Sequence, residues 1–215
     1  MKPATLKICG LSSEEAIDAG MARGIGFMGF IMVEHSLRYV APDRFAPLAM
    51  RIPSHINSVL VSMNASNEAL DAYVMHHRPS MMQLHGHESP QRMAEVKARY
   101  GLPIIKAYGV SAVDDVHAAI RESATVADWL LWDTKRCDGT SGGTGQTFDW
   151  NILTSLTIPL PYFLSGGIDA WNIVQATQQT CAEYFDVSSS LEYPKGVKDV
   201  GRIHQFIDHY ERCVR

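Results

Sequence analysis

Thr5-Leu6-Lys7-Ile8-Cys9-Gly10-Leu11-Ser12-Ser13 is a short apolar run ending in a turn of small residues, and Glu14 to Met21 follows it at once with helical spacing. That is one strand-turn-helix unit. Outward from it the alternation repeats. Strand-like runs lie at Gly26 to Met32, Ile56 to Ser62, Met81 to Leu84, Pro103 to Tyr108, Trp129 to Trp132, Tyr162 to Leu164 and Tyr184 to Val187. Helical spacing marks Asp43 to Arg51, Glu68 to His76, Pro90 to Tyr100, Val113 to Arg121, Trp150 to Ser155, Ala170 to Gln178 and Val200 to Cys213. Ser12, Asn67, Ser89, Ser111 and Asp169 stand near helix starts, where their side chains can accept from unpaired backbone amides.

Alternation of this kind requires parallel strands joined by right-handed crossovers, which leaves a closed barrel or an open doubly wound sheet. An open dinucleotide-binding sheet carries a glycine fingerprint after its first strand, and the turn Cys9-Gly10-Leu11-Ser12-Ser13 lacks one. About eight strands favour closure. The expected fold is therefore an α/β, (β/α)8 TIM barrel, a single domain over residues 1–215, slightly short of the roughly 250 residues typical of that architecture. No linker, low-complexity tract or charge run suggests a boundary. The longest loop candidate, Thr134 to Thr147, holds Gly139, Gly142, Gly143 and Gly145, and long loops in compact domains are usually functional or mobile.

Composition narrows the function classes. Hydrophobic residues make up 46% and charged residues 20%, the balance of a folded globular chain. No apolar run approaches the roughly 20 residues of a membrane span. Met1 to Thr5 lacks the apolar stretch of a signal peptide, so the expected compartment is the cytoplasm. Cys9, Cys137, Cys181 and Cys213 are too scattered for a zinc site or a disulfide scaffold, and free thiols are expected. A net charge of -4 without a basic cluster argues against nucleic acid, whereas a small anionic ligand needs only a few local donors.

In a barrel of this kind chemistry takes place at the C-terminal ends of the strands. Cys9, His85, Lys106, Asp133 and Asp186 all fall at or near such ends and are candidates for one mouth. Cys9 is either a small buried hydrophobe or a thiolate base, the second if a cation such as Lys7 on the same strand face lowers its pKa. Asp133 emerges from Leu130-Leu131-Trp132 and is either a desolvated general acid or a capping and ion-pairing group. His85 either binds substrate or packs and hydrogen-bonds, and no histidine spacing suggests a metal. Ser165-Gly166-Gly167 follows the seventh strand and Ser188-Ser189-Ser190 the eighth. Small residues there open backbone amides to a ligand, and these are the loops on which barrels usually bind phosphate. Tight turns into helices would use the same residues.

Taken in order, several short stretches resemble one family over nearly the whole chain, the phosphoribosylanthranilate isomerases. They are Lys7-Ile8-Cys9-Gly10, Gly29-Phe30-Ile31 with Ser36-Leu37-Arg38-Tyr39-Val40, Gln83-Leu84-His85-Gly86, and Asp133-Thr134 with Gly142 to Gly145 and Phe148-Asp149-Trp150. Ser165-Gly166-Gly167-Ile168 and Asp186-Val187-Ser188-Ser189 complete the series. The resemblance implies an Amadori rearrangement of N-(5-phosphoribosyl)anthranilate that needs no cofactor. It makes Asp133 the general acid and Cys9 the general base. It also implies Arg38 at the anthranilate side, Lys7, His85 and Asp186 around the substrate, and Gly166, Gly167, Ser188 and Ser189 at the phosphate. The loop around Gly143 would close over the site. The expected partner is a small phosphorylated substrate, with the chain a monomer or homodimer. Leu37 departs from the family, which has proline before the arginine, and Met21 to Ile25 and Tyr193-Pro194-Lys195-Gly196 depart locally.

Two other classes of phosphate-binding barrel fit less well. Indoleglycerol-phosphate synthase would require a longer N-terminal region and catalytic lysines, and a pentose-phosphate epimerase would require metal ligands on several strands. A binding-only barrel is distinguished by loss of the proton-transfer pair, and both Cys9 and Asp133 are present.

Overall fold

The computed structural model describes residues 5–135 and 147–214. Cys137, Gly139, Gly142, Gly143 and Gly145 of the long loop lie outside the described residues. The strands are β1 (Thr5–Cys9), β2 (Phe27–Ile31), β3 (Asn57–Ser62), β4 (Met81–Leu84), β5 (Ile104–Val110), β6 (Trp129–Thr134), β7 (Tyr162–Leu164) and β8 (Tyr184–Val187). The helices are α1 (Glu14–Met21), α2 (Pro42–Met50), α3 (Asn67–Val74), α4 (Pro90–Tyr100), α5 (Val113–Ser123), α6 (Asn151–Thr154), α7 (Ile173–Gln179) and α8 (Val200–Val214). All neighbouring strands pair in parallel and β8 returns to β1, so the sheet closes in chain order. This is the expected (β/α)8 barrel.

Side chains alternate across each strand, and here both faces are buried. Leu6, Ile8, Met28, Phe30, Leu60, Met82, Leu130, Trp132, Phe185 and Val187 face the helices and form the larger core with them. The opposite residues fill the barrel in tiers drawn from alternate strands, as closure at this strand tilt requires. From the N-terminal end the tiers are Phe27, Met81, Trp129 and Tyr184; then Lys7, Val59, Ile105 and Phe163; then Gly29, Gln83, Leu131 and Asp186. Cys9, Val61, Ala107 and Ser165 come next, below a rim of Ile31, His85, Asp133 and Ser188. Polarity rises steadily toward the C-terminal end, where the loops α helices start from are also gathered.

The helix starts differ in detail from the sequence expectation. Ser89 caps α4 as expected, its hydroxyl accepting from the Arg92 amide at 3.2 Å. The caps of α1 and α3 are Ser13 and Ser66, each a neighbour of the expected residue. At α5 the cap position is Ala112, and the Asp115 carboxylate takes the Ser111 and Ala112 amides instead. Asp169 accepts from the Trp171 and Asn172 amides in a turn ahead of α7, whose cap is Asn172. Among the described residues no helix is long and apolar enough to cross a membrane.

Candidate active site at the C-terminal mouth

Cys9, Arg38, His85, Asp133, Gly166, Gly167, Asp186, Ser188 and Ser189 line one cavity of about 210 Å³ at the mouth. The βα units make this convergence possible, because residues up to 180 positions apart in sequence end on the same ring of strand termini. Lys7 lies one tier lower, fully buried, and its Nζ donates to Asp186 Oδ1 at 2.8 Å. Burial works against the Lys7 ammonium, yet Asp186 and then Cys9 outweigh it, so its pKa is raised and it keeps its charge.

Lys7 does not, however, turn Cys9 into a thiolate. Cys9 is buried, and desolvation pushes its thiol up; Lys7 and Lys198 pull it down, but Asp186 adds to the rise. Burial is the leading cause, so the thiol is raised even though Lys7, itself paired with Asp186, pulls the other way. The lowering by Lys7, on which the thiolate alternative depends, is present but is outweighed by burial.

Asp133 projects from the end of β6 into the cavity and is 4% exposed. Its Oδ1 accepts from the Thr134 amide at 2.7 Å and its Oδ2 lies 3.4 Å from His85 Nε2. His85 Nδ1 lies 3.0 Å from Gln83 Nε2, which projects inward two residues earlier on the same strand. Among the described residues Gln83 Oε1 is buried without a hydrogen-bond partner, although Gln83 also lines the cavity. Gly166 closes the acid side: its φ is +79°, and a Cβ there would collide with Thr134 Oγ1 and stand 3.0 Å from Asp133 Oδ1.

On the far side Ser188 Oγ donates to the Cys9 carbonyl at 2.9 Å, joining β1 to the loop after β8, and a single 3-10 turn runs from Ser189 to Leu191. Ser165 Oγ lies 3.5 Å from Asp186 Oδ2. Arg38 is held by Glu192, with Nε to Oε1 at 2.6 Å and Nη2 to Oε2 at 2.9 Å. Burial opposes the Glu192 charge, but Arg38 and Lys198 hold its carboxyl down to about 2. Lys198 responds in the opposite sense to an ordinary ion pair. Its pKa is lowered, since burial takes more from the ammonium than its one carboxylate neighbour restores.

Lys106 is not part of this mouth. It shares the outward face of β5 with Ile104 and Tyr108, and its Nζ donates to Glu88 Oε2 at 3.0 Å and to the Gly86 carbonyl at 2.6 Å. Its work is to bind the turn after β4. Glu192, Lys198, Ser36 and Gln83 are the site groups that the sequence reading did not select. Gln83 was visible as part of Gln83-Leu84-His85-Gly86, whereas Glu192 carried no local signal, its partner Arg38 lying 154 residues away. Among the described residues no group of three or more His, Cys, Asp or Glu side chains is placed to hold a metal ion.

A family profile described as "N-(5'phosphoribosyl)anthranilate (PRA) isomerase" matches residues 6–209. The N-(5'-phosphoribosyl)anthranilate isomerase of Rhizobium johnstonii is 40% identical over 215 residues, covering 99% of this chain and 96% of its own. The crystal structure of phosphoribosyl anthranilate isomerase from Thermotoga maritima superposes with a TM-score of 0.86 at 28% identity, over 97% of this chain and 99% of that one. A structure of phosphoribosyl anthranilate isomerase in complex with reduced 1-(o-carboxyphenylamino)-1-deoxyribulose 5-phosphate gives a TM-score of 0.83 at 26% identity, over 97% and 99% of the two chains.

Proposed function

The chain belongs to the N-(5'-phosphoribosyl)anthranilate isomerase family, an isomerase of tryptophan biosynthesis, and from that premise we propose that Asp133 and Cys9 carry its two proton transfers. The observation that supports this is their convergence on one cavity from opposite walls, each in its own electrostatic surroundings. A ring opening followed by an enolisation needs one proton delivered and one removed, and two groups in different surroundings can divide that work.

In this reading Asp133 gives its proton to the ribose ring oxygen, the C1–O bond breaks, and nitrogen lone-pair density forms the imine. Cys9, as thiolate, then removes the C2 proton, and the electrons of that C–H bond reduce the imine to an enolamine. Loss of the C2 hydroxyl proton and protonation at C1 give the ketone, 1-(2-carboxyphenylamino)-1-deoxyribulose 5-phosphate. A thiolate formed against a raised pKa is scarce but the stronger base. Asp186, fixed by Lys7, lies by the bridging amine, and His85 supports the acid side next to Asp133. Arg38 offers a fixed cation to the anthranilate carboxylate.

The phosphate is assigned to the backbone and hydroxyls of Gly166, Gly167, Ser188 and Ser189, small residues that line the cavity on the loops after β7 and β8. Gly143 is retained as a substrate contact of the closing loop on the family resemblance alone. The cytoplasm is retained as the compartment in which such a biosynthetic step would run.

Turnover followed by loss of anthranilate fluorescence tests the assignment. Asp133→Asn and Cys9→Ala should each lower kcat by about 10²–10⁴-fold, while both still bind the reduced product analogue. A variant that kept full turnover would move that proton transfer to another residue, and an inactive wild type would sink the reading altogether.

A further inference from the structure

Arg38 reaches the cavity as one member of a three-residue ionic cluster. Both of its bonds to Glu192 are short and run from two nitrogens to the two carboxylate oxygens, a fork that fixes the plane of the guanidinium as well as its position. Glu192 is 5% exposed and is held in turn by Lys198 Nζ on Oε1 at 2.5 Å and by the Gly196 amide on Oε2 at 2.9 Å. The stem of Arg38 is fixed too. It crosses Gly10, whose φ is +82° and where a Cβ would stand 2.6 Å from Arg38 Cδ.

Two cations and one anion leave the cluster with a single positive charge. An arginine paired with one buried carboxylate would be neutral as a unit and would offer a ligand anion little. Here Glu192 divides its charge between Arg38 and Lys198, so the arginine keeps attraction to spare while its orientation is set. Lys198 also lies 3.4 Å from Ser188 Oγ, which ties the cluster to the wall that carries Cys9.

We propose that Glu192, backed by Lys198, is a positioning residue that presents Arg38 to the carboxylate of the substrate's aromatic ring and so makes the site select a carboxylated anilino sugar over its uncarboxylated counterpart. The inference rests on the reading of Arg38 as the anthranilate contact. It extends that reading by naming what aims the arginine and what keeps its charge available.

Binding of two reduced product analogues, one with the ortho-carboxylate and one with hydrogen in its place, tests this in wild type, Glu192→Gln and Arg38→Met. Wild type should prefer the carboxylated analogue by about tenfold or more. Glu192→Gln should lose most of that preference, while its affinity for the uncarboxylated analogue stays within about twofold. A purely structural role would weaken both analogues alike, so a preserved ratio in Glu192→Gln overturns the proposal. An increased ratio overturns it as well, since Glu192 would then be only a competing negative charge. Arg38→Met that keeps the preference defeats the reading of Arg38 itself; Arg38→Met that loses it while Glu192→Gln does not defeats only the positioning role. Should Glu192→Gln fail to fold, Glu192→Asp keeps the charge but shortens the fork, and an unchanged ratio there is equally decisive.

Discussion

The two ends of one barrel interior carry opposite chemistry on the same eight strands. At the N-terminal end Phe27, Trp129, Phe163 and Tyr184 form an aromatic plug, with ring centroids 4.7 to 6.0 Å apart and Phe27 edge-on to the other three. Toward the C-terminal end the same inward-facing series carries Asp186, then Cys9, then His85 and Asp133. Lys7 is the transition between them: its Nζ lies 5.9 Å from the ring centroid of Phe163 in its own tier and 2.8 Å from Asp186 in the tier above. Apolar burial stabilises, while desolvated ionisable groups do so only when paired. The fold thus separates stability from chemistry by position along each strand.

The largest test of that separation is Phe27→Ala. Removing the ring that touches three others should destabilise the protein by about 3–5 kcal/mol, measured by urea unfolding. Turnover per folded molecule, well below the melting temperature, should stay near wild type, the reverse of the pattern expected for Asp133→Asn. A loss of turnover with stability intact would show that the plug controls the geometry of the mouth, and the two ends would not be separable.

The contrast also explains what was legible in the sequence. Eight strands, their helices and the mouth residues Cys9, Asp133 and Asp186 could be read because each apolar run ends abruptly at a polar or small residue. Which face a polar residue takes is harder to read. In Ile104-Ile105-Lys106-Ala107-Tyr108 both faces are buried, so no polar alternation shows that Lys106 points outward to Glu88. The raised thiol pKa of Cys9 comes first from burial, and the Asp186 carboxylate, paired with Lys7 across 179 residues, adds to it; no local pattern contains either effect. The Glu192 cluster is illegible for the same reason. The caps of α1 and α3 stand one residue from the expected ones because adjacent polar residues, Ser12-Ser13 and Ser66-Asn67, compete for one position and backbone geometry decides between them.

A second, smaller test lies at the mouth and uses acid. The Glu192 carboxyl is lowered from its ordinary 4.5 to about 2, so its contribution is fully present above 4.5 and is lost as the pH falls from there toward 2. Wild type should be more stable than Glu192→Gln at pH 6, and the gap should narrow as the pH approaches 3, because protonation then does to wild type what the substitution has already done. A gap that stayed constant over that range would mean Glu192 is not the group whose charge joins the loops after β2 and β8. The aromatic plug has no titrating group of this kind, so stability lost through Phe27→Ala should be independent of pH over the same interval.

The smallest effect expected concerns Leu37, which stands where the family resemblance implies a proline. The Tyr39 amide donates to the Ser36 carbonyl at 3.0 Å and the Arg38 amide to Ser36 Oγ at 3.1 Å, which makes Ser36 to Tyr39 a β-turn with Leu37 in its second position. Proline is favoured there, because its fixed φ matches the turn and the position needs no donor. Leu37 is 69% exposed, and among the described residues its amide donates no hydrogen bond. Leu37→Pro should therefore stabilise the protein by about 0.4–1 kcal/mol through the unfolded chain, and KM should fall slightly, since Arg38 would be held in place before substrate arrives. Loss of stability would show that the turn depends on the Leu37 side chain lying against Gly196, where the loops after β2 and β8 meet. The mouth would then share in the stabilising work that the tiered interior assigns to the opposite end.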